Sequence, residues 1–145
     1  MKIEEEFLTI KQARELKKLG VSFIGANFGI YNFYESLAED EVNEIRKLDY
    51  ALRSKLVTET LSVAEMFYML PNYIYIDNET ESYSLAYNGS LISYATVDCY
   101  GYWLNRVTIM KGSFNSDKDN IYLKEWNLRD ALFEMLKWLK VNKCI

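Results

Sequence analysis

Three times along this 145-residue chain an apolar residue precedes a side chain able to cap a helix, with Gln, Glu or Asp three positions after the cap. The sets are Leu8-Thr9 with Gln12, Leu61-Ser62 with Glu65, and Trp126-Asn127 with Asp130. A helix leaves its first amides without partners inside the helix. The capping oxygen accepts from the amide three residues on, and the side chain there can reach back to the cap's own amide. The apolar residue before the cap packs on the fourth helical position, the spacing of Leu61 and Met66. Three helix starts are therefore written into the chain.

Their continuations agree. In "FLTIKQARELKKLG", Ile10, Ala13 and Leu16, with the stem of Lys17, form a narrow apolar stripe, and Gly20 falls where a left-handed cap ends a helix. "TLSVAEMFYMLP" must stop before Pro71, because the residue preceding a proline avoids helical angles. In "NLRDALFEMLKWL", Leu128, Ala131, Leu132, Met135, Leu136 and Leu139 share one face with Trp138 at its margin. The last two stretches look alike because they meet the same local demands. No matching strands flank them, which argues against an internal repeat.

Between the helices the pattern turns to strands. "VSFIGANFGIYNFY" reads as one or two short strands bent at Gly25 and Gly29. "SLAEDEVNEIRKL" is expected to be helical, with Leu37, Val42, Ile45 and Leu48 at spacings of five, three and three. "YALRSKLV" either extends that helix or pairs into a sheet, so residues 38–57 carry two readings. Asn88-Gly89 is the dipeptide of a two-residue hairpin turn, which sets Tyr87 against Ser90, Leu85 against Ile92 and Tyr83 against Tyr94. Further strands are expected at 73–76, 103–110 and 121–126. The fold class is α+β: one antiparallel sheet of about four to five strands, with about three or four helices mainly on one face. Residues 1–145 read as a single domain.

Composition narrows function chiefly by exclusion. The chain has no histidine, so neither a Ser-His-Asp triad nor a Cys-His pair can form. Two cysteines, Cys99 and Cys144, without histidine cannot build a four-ligand Cys/His zinc site. The Gly-rich phosphate loops are missing. No cofactor is expected. A formal charge of −4 argues against direct nucleic-acid binding. The N-terminal "MKIEEEFLTIKQ" lacks the apolar run of a signal peptide, and no window approaches the roughly 18 apolar residues of a membrane span. A cytoplasmic protein without a membrane partner is the expectation.

Three stretches invite a functional reading. "NSDKDNIYLKEW" puts Asn115, Asp117 and Asp119 at the first, third and fifth positions of a calcium loop, but Trp126 stands where the bidentate glutamate belongs. A turn between strands is the preferred reading. The acidic run with Glu39, Asp40, Glu41 and Glu44 could mimic phosphates, though it also suits the wet face of a helix. The aromatic cluster "SYATVDCYGYWLNR" carries Tyr94, Tyr100, Tyr102, Trp103 and Arg106, residue types favoured at interface hot spots. These five are the candidate binding residues. No catalytic or metal-binding residue is assigned.

The blocks "FLTIKQARELKKLG", "TLSVAEMFYMLP" and "NLRDALFEMLKWLK" resemble, in the same order, those of a family of small uncharacterised proteins widespread in gut anaerobes, often in prophages and other mobile elements. The resemblance covers most of the chain and is weakest from Gly25 to Val57. It supplies no activity and no site residues; it implies a mobile-element accessory protein. With 12 tyrosines and 3 tryptophans, the expected role is non-enzymatic binding of another protein, with self-association also open. The alternatives are an acidic inhibitor of a nucleic-acid enzyme and a carboxylate- or metal-dependent enzyme.

Overall fold

All three helix starts form as the spacing predicts. The computed structural model describes residues 3–34, 43–76, 82–88, 91–97, 100–101, 103–110, 113–117, 119, 121–123 and 127–145. Helix α1 (Ile10–Leu19) and helix α2 (Val63–Tyr68) each carry a complete capping box, from Thr9 with Gln12 and from Ser62 with Glu65. Helix α3 (Leu128–Val141) is capped by the Asn127 side chain, which accepts from the Asp130 amide. Each cap is worth about 1 kcal/mol. Gly20 ends α1 in the left-handed region at φ 96°.

The strand content departs from expectation. Among the described residues two antiparallel sheets form in place of one, with nine strands rather than four to five. The smaller sheet has β1 (Phe28–Tyr31) at its centre, flanked by β2 (Glu44–Lys47) and β3 (Leu56–Thr60). The expected helix in the acidic segment is thus corrected at its C-terminal end: Glu44–Lys47 is strand, and Tyr50–Lys55 is a 3-10 turn leading into β3. The preceding part of that expectation, Leu37 and Val42 included, lies outside the described residues. Non-local pairing decides the matter. Ile45 sits opposite Ile30, and Arg46 lays its guanidinium 4.7 Å from the centre of the Phe33 ring.

The larger sheet is a six-stranded meander in chain order: β4 (Tyr73–Tyr75), β5 (Ser82–Asn88), β6 (Leu91–Val97), β7 (Trp103–Met110), β8 (Ser113–Ser116) and β9 (Ile121–Leu123). The β5–β6 hairpin pairs Asn88 with Leu91, Tyr87 with Ile92 and Leu85 with Tyr94. This corrects the expected register by two residues. A two-residue slip preserves the faces, whereas a slip of one would have turned every side chain over.

One face of this sheet is packed by helices. Ile92, Tyr94, Val107, Ile109 and Phe114 join Ala131, Leu132, Met135, Leu136 and Leu139 of α3 in one core, with Ala13 and Leu16 of α1 and Met66 of α2. The two similar helices α2 and α3 pack on each other, and Phe67 of α2 stacks on Tyr87 of β5 at 5.0 Å. Polar ties fix the layers. Gln12 donates to Asp130 at 2.7 Å, Lys137 pairs with Glu15 at 2.8 Å, and Trp138 donates its indole N–H to Asp119 at 2.6 Å. The smaller sheet is joined to α1 by Lys17, which donates to Thr58 and pairs with Glu59. The Thr60 hydroxyl donates to the Leu8 carbonyl at 2.9 Å.

Candidate functional site

Of the five residues singled out in the sequence, the side chains of Tyr94, Tyr100 and Arg106 are described, and these three do not form one face. Tyr94 is fully buried on the helix-covered face and donates its hydroxyl to the Pro71 carbonyl at 2.7 Å. Burial pushes its phenol far above the ordinary tyrosine range. It is a core residue, not part of an exposed binding face. Arg106 is the extra residue of a bulge: Tyr94 pairs with Val107 and Ala95 with Asn105, leaving Arg106 between them. A bulge re-aims the side chain it displaces, and the Arg106 guanidinium lies 6.0 Å from the centre of the Tyr83 ring. Tyr100 is exposed in the connection between β6 and β7. Trp103 opens β7 opposite Val97. Tyr102 lies outside the described residues, as do Cys99 and the acidic residues Glu39, Asp40 and Glu41. Glu44 is on β2, paired with Arg46 at 2.7 Å.

The opposite, outer face of the six-stranded sheet has a different chemistry. On β4, Ile74 turns into the core while Tyr73 and Tyr75 point out, 65% and 61% exposed. Their cross-strand partners are Ser84 and Ser82. The register then carries small and polar side chains across the sheet. Ala86, Ser93, Thr108, Asn115 and Tyr122 form one row, and Met110 faces Ser113 in the next. Tyrosines therefore stand at both edges of a low floor of serine, threonine and asparagine. The Ser93 hydroxyl donates to Oδ1 of Asn105 at 3.1 Å, fixing that amide.

Over β7 to β9 this floor deepens into a trough of about 190 Å³ lined by Asn105, Thr108, Met110, Ser113, Asn115, Asp117 and Tyr122. A hollow of about 500 Å³ also lies between Ala26–Phe28 and Lys47–Leu48, beside the Asn27 amide that donates to Glu65. Its lining offers one amide and one ammonium. The trough presents far more hydrogen-bonding chemistry in less space. Neither Tyr73, Tyr75 nor the trough was marked by a sequence motif. The usable signal was the alternation in "YIYI", where burying the isoleucines forces the tyrosines outward.

Of the calcium-like segment, Asp117 and Asp119 lie at turn positions between β8 and β9. Asp119 accepts from Trp138 and from Ser116, the latter at 3.1 Å, and Asn115 lies within β8. Among the described residues, no three Cys, Asp or Glu side chains stand together as a metal-ligand group. The half-buried Cys144 thiol lies 3.7 Å from the Tyr75 carbonyl. Among the described residues, no helix is long and apolar enough to cross a membrane. No protein-family model matches this chain, and no match to it is found among curated proteins or solved structures.

Proposed function

We propose that this chain is a non-enzymatic binding protein that captures another protein on the outer face of its six-stranded sheet, with Tyr73 and Tyr75 as anchors. One observation carries the reading: two neighbouring tyrosines on an edge strand keep most of their surface in water while the isoleucine between them is buried. Tyrosine brings large contact area at low entropic cost and a hydroxyl for hydrogen bonding, which is why it dominates interface hot spots. An edge strand also offers backbone groups to a partner strand. The strand has only three residues, and that brevity limits indiscriminate pairing with other sheets. A cytoplasmic accessory role in a mobile element rests on the resemblance of the three helix blocks.

The test is capture of a partner by the purified chain and by a Tyr73→Ser/Tyr75→Ser double variant, followed by titration with the purified partner. Both side chains project into solvent, so the variant keeps the wild-type circular dichroism and melting temperature. Each anchor is expected to contribute about 2 kcal/mol or more to binding. Equal affinity of the variant and the wild type would defeat the reading. Light scattering on the chain alone decides whether the captured partner is a second copy.

A further inference from the structure

The trough over β7 to β9 supports a second site that does not depend on Tyr73 and Tyr75. Among its described lining residues the one formal charge is the Asp117 carboxylate. A phosphate-bearing ligand would meet a like charge there and no described cation. An apolar ligand would desolvate two asparagines and three hydroxyls for contact with little more than Met110 and the Tyr122 ring. What the lining does match is a neutral ligand bearing several hydroxyls around a compact ring.

The atoms are suited to that chemistry. The asparagine side chains offer donor and acceptor on one rigid amide, and a carboxylate accepts from two hydroxyls at once. Asn105 has its Oδ1 engaged by Ser93, which leaves Nδ2 as the donor it presents. Ser113 donates to the Met110 carbonyl at 2.6 Å, so its oxygen faces a ligand as an acceptor. Thr108, Asn115 and Tyr122 are direct cross-strand neighbours in one row, which places a hydroxyl, an amide and an aromatic ring on a continuous surface. The exposed Tyr122 ring offers a flat wall for the C–H face of a sugar ring. The volume of about 190 Å³ is below the range of about 300 to 1,000 Å³ that holds drug-sized ligands. It suits a single ring.

We propose that this trough binds one residue of a neutral saccharide, with Asp117, Asn115 and Asn105 on its hydroxyls and Tyr122 against its apolar face. The experiment is an amide-detected NMR titration of the full chain with glucose, galactose, mannose and N-acetylglucosamine, extended by a glycan array. One neutral sugar is expected to bind with a dissociation constant of about 1 mM, shifting the amides of Thr108, Asn115 and Tyr122. Asn115→Ala and Tyr122→Ala should each weaken it by about tenfold or more, and Tyr73→Ser/Tyr75→Ser should leave it unchanged. If either trough variant loses its fold, Asp117→Asn at an exposed position supplies the comparison and should weaken binding likewise. The proposal is overturned if no sugar binds the folded chain, if binding survives these substitutions, or if the trough amides respond instead to a single-stranded oligonucleotide.

Discussion

At the scale of single residues, one buried and one half-buried group tie stability to pH in two ranges, alkaline and acidic. Tyr94 lies in the core with its hydroxyl on the Pro71 carbonyl. Removing that donor in Tyr94→Phe should cost about 1 kcal/mol and lower the melting temperature by about 3 °C. Burial raises its pKa above the ordinary 10.0. The stabilisation is therefore fully present below that value and is lost as pH rises toward the raised one. Thermal melts of the two proteins should differ at neutral pH and converge under strongly alkaline conditions; a constant difference would contradict the account. Glu134 follows the same sign in the acidic range. Burial chiefly, with the carboxylates of Glu15 and Asp130, raises its pKa, against the lowering effect of Lys137. Its folded carboxyl holds a proton more tightly than the unfolded one, so its charge weakens the fold above the raised value. This cost disappears as pH falls toward the ordinary 4.5. Glu134→Gln should be more stable than wild type at neutral pH, by no more than about 1 kcal/mol because the site is half open to solvent. A variant less stable at neutral pH would show that Lys137 outweighs burial.

At the scale of elements, the three-stranded sheet depends on a close approach at Gly29. A Cβ there would stand 2.6 Å from Cδ1 of Leu56 and 2.8 Å from Cδ2 of Leu48. Gly29→Ala should therefore cost about 1 to 3 kcal/mol in denaturant unfolding, with the loss concentrated in amide exchange of β1 and its neighbours. A neutral substitution would mean that the two leucines move aside freely. How legible each element was in the sequence depends on where its determinants lie. Helix caps are local: Thr9, Gln12, Ser62, Glu65 and Asn127 act within one turn, and each appears as its spacing predicts. Glu44–Lys47 misleads because its partner Phe28–Tyr31 lies many residues away, and the pairing of Ile45 with Ile30 overrides a weak helical spacing. At the Asn88-Gly89 hairpin the sequence marks the turn but not its register. The packing of Tyr94 opposite Leu85 selects a register two residues from the expected one.

At the scale of the whole molecule, α3 joins the parts: it packs on α1, on α2 and on strands β7 and β8. All three helices contribute to the core on one face of the larger sheet, and the outer face is left with a distinct composition. The described members of the expected site are separated for a related reason. Tyr94, Tyr100 and Arg106 are close in sequence, but strand alternation buries the first, and a bulge turns the last onto Tyr83. Thr108, Asn115 and Tyr122 lie on three different strands and become neighbours only through sheet order, which no local pattern reveals. The central claim is that this outer face binds. Its most direct test is hydroxyl-radical footprinting of the tyrosines, read by mass spectrometry in the free chain and in the complex with its captured partner. The account predicts protection of Tyr73 and Tyr75, with Tyr50 and Tyr68, 79% and 90% exposed, reacting as before. Protection of Tyr50 or Tyr68 while Tyr73 and Tyr75 stay fully reactive would place the interface elsewhere and contradict it.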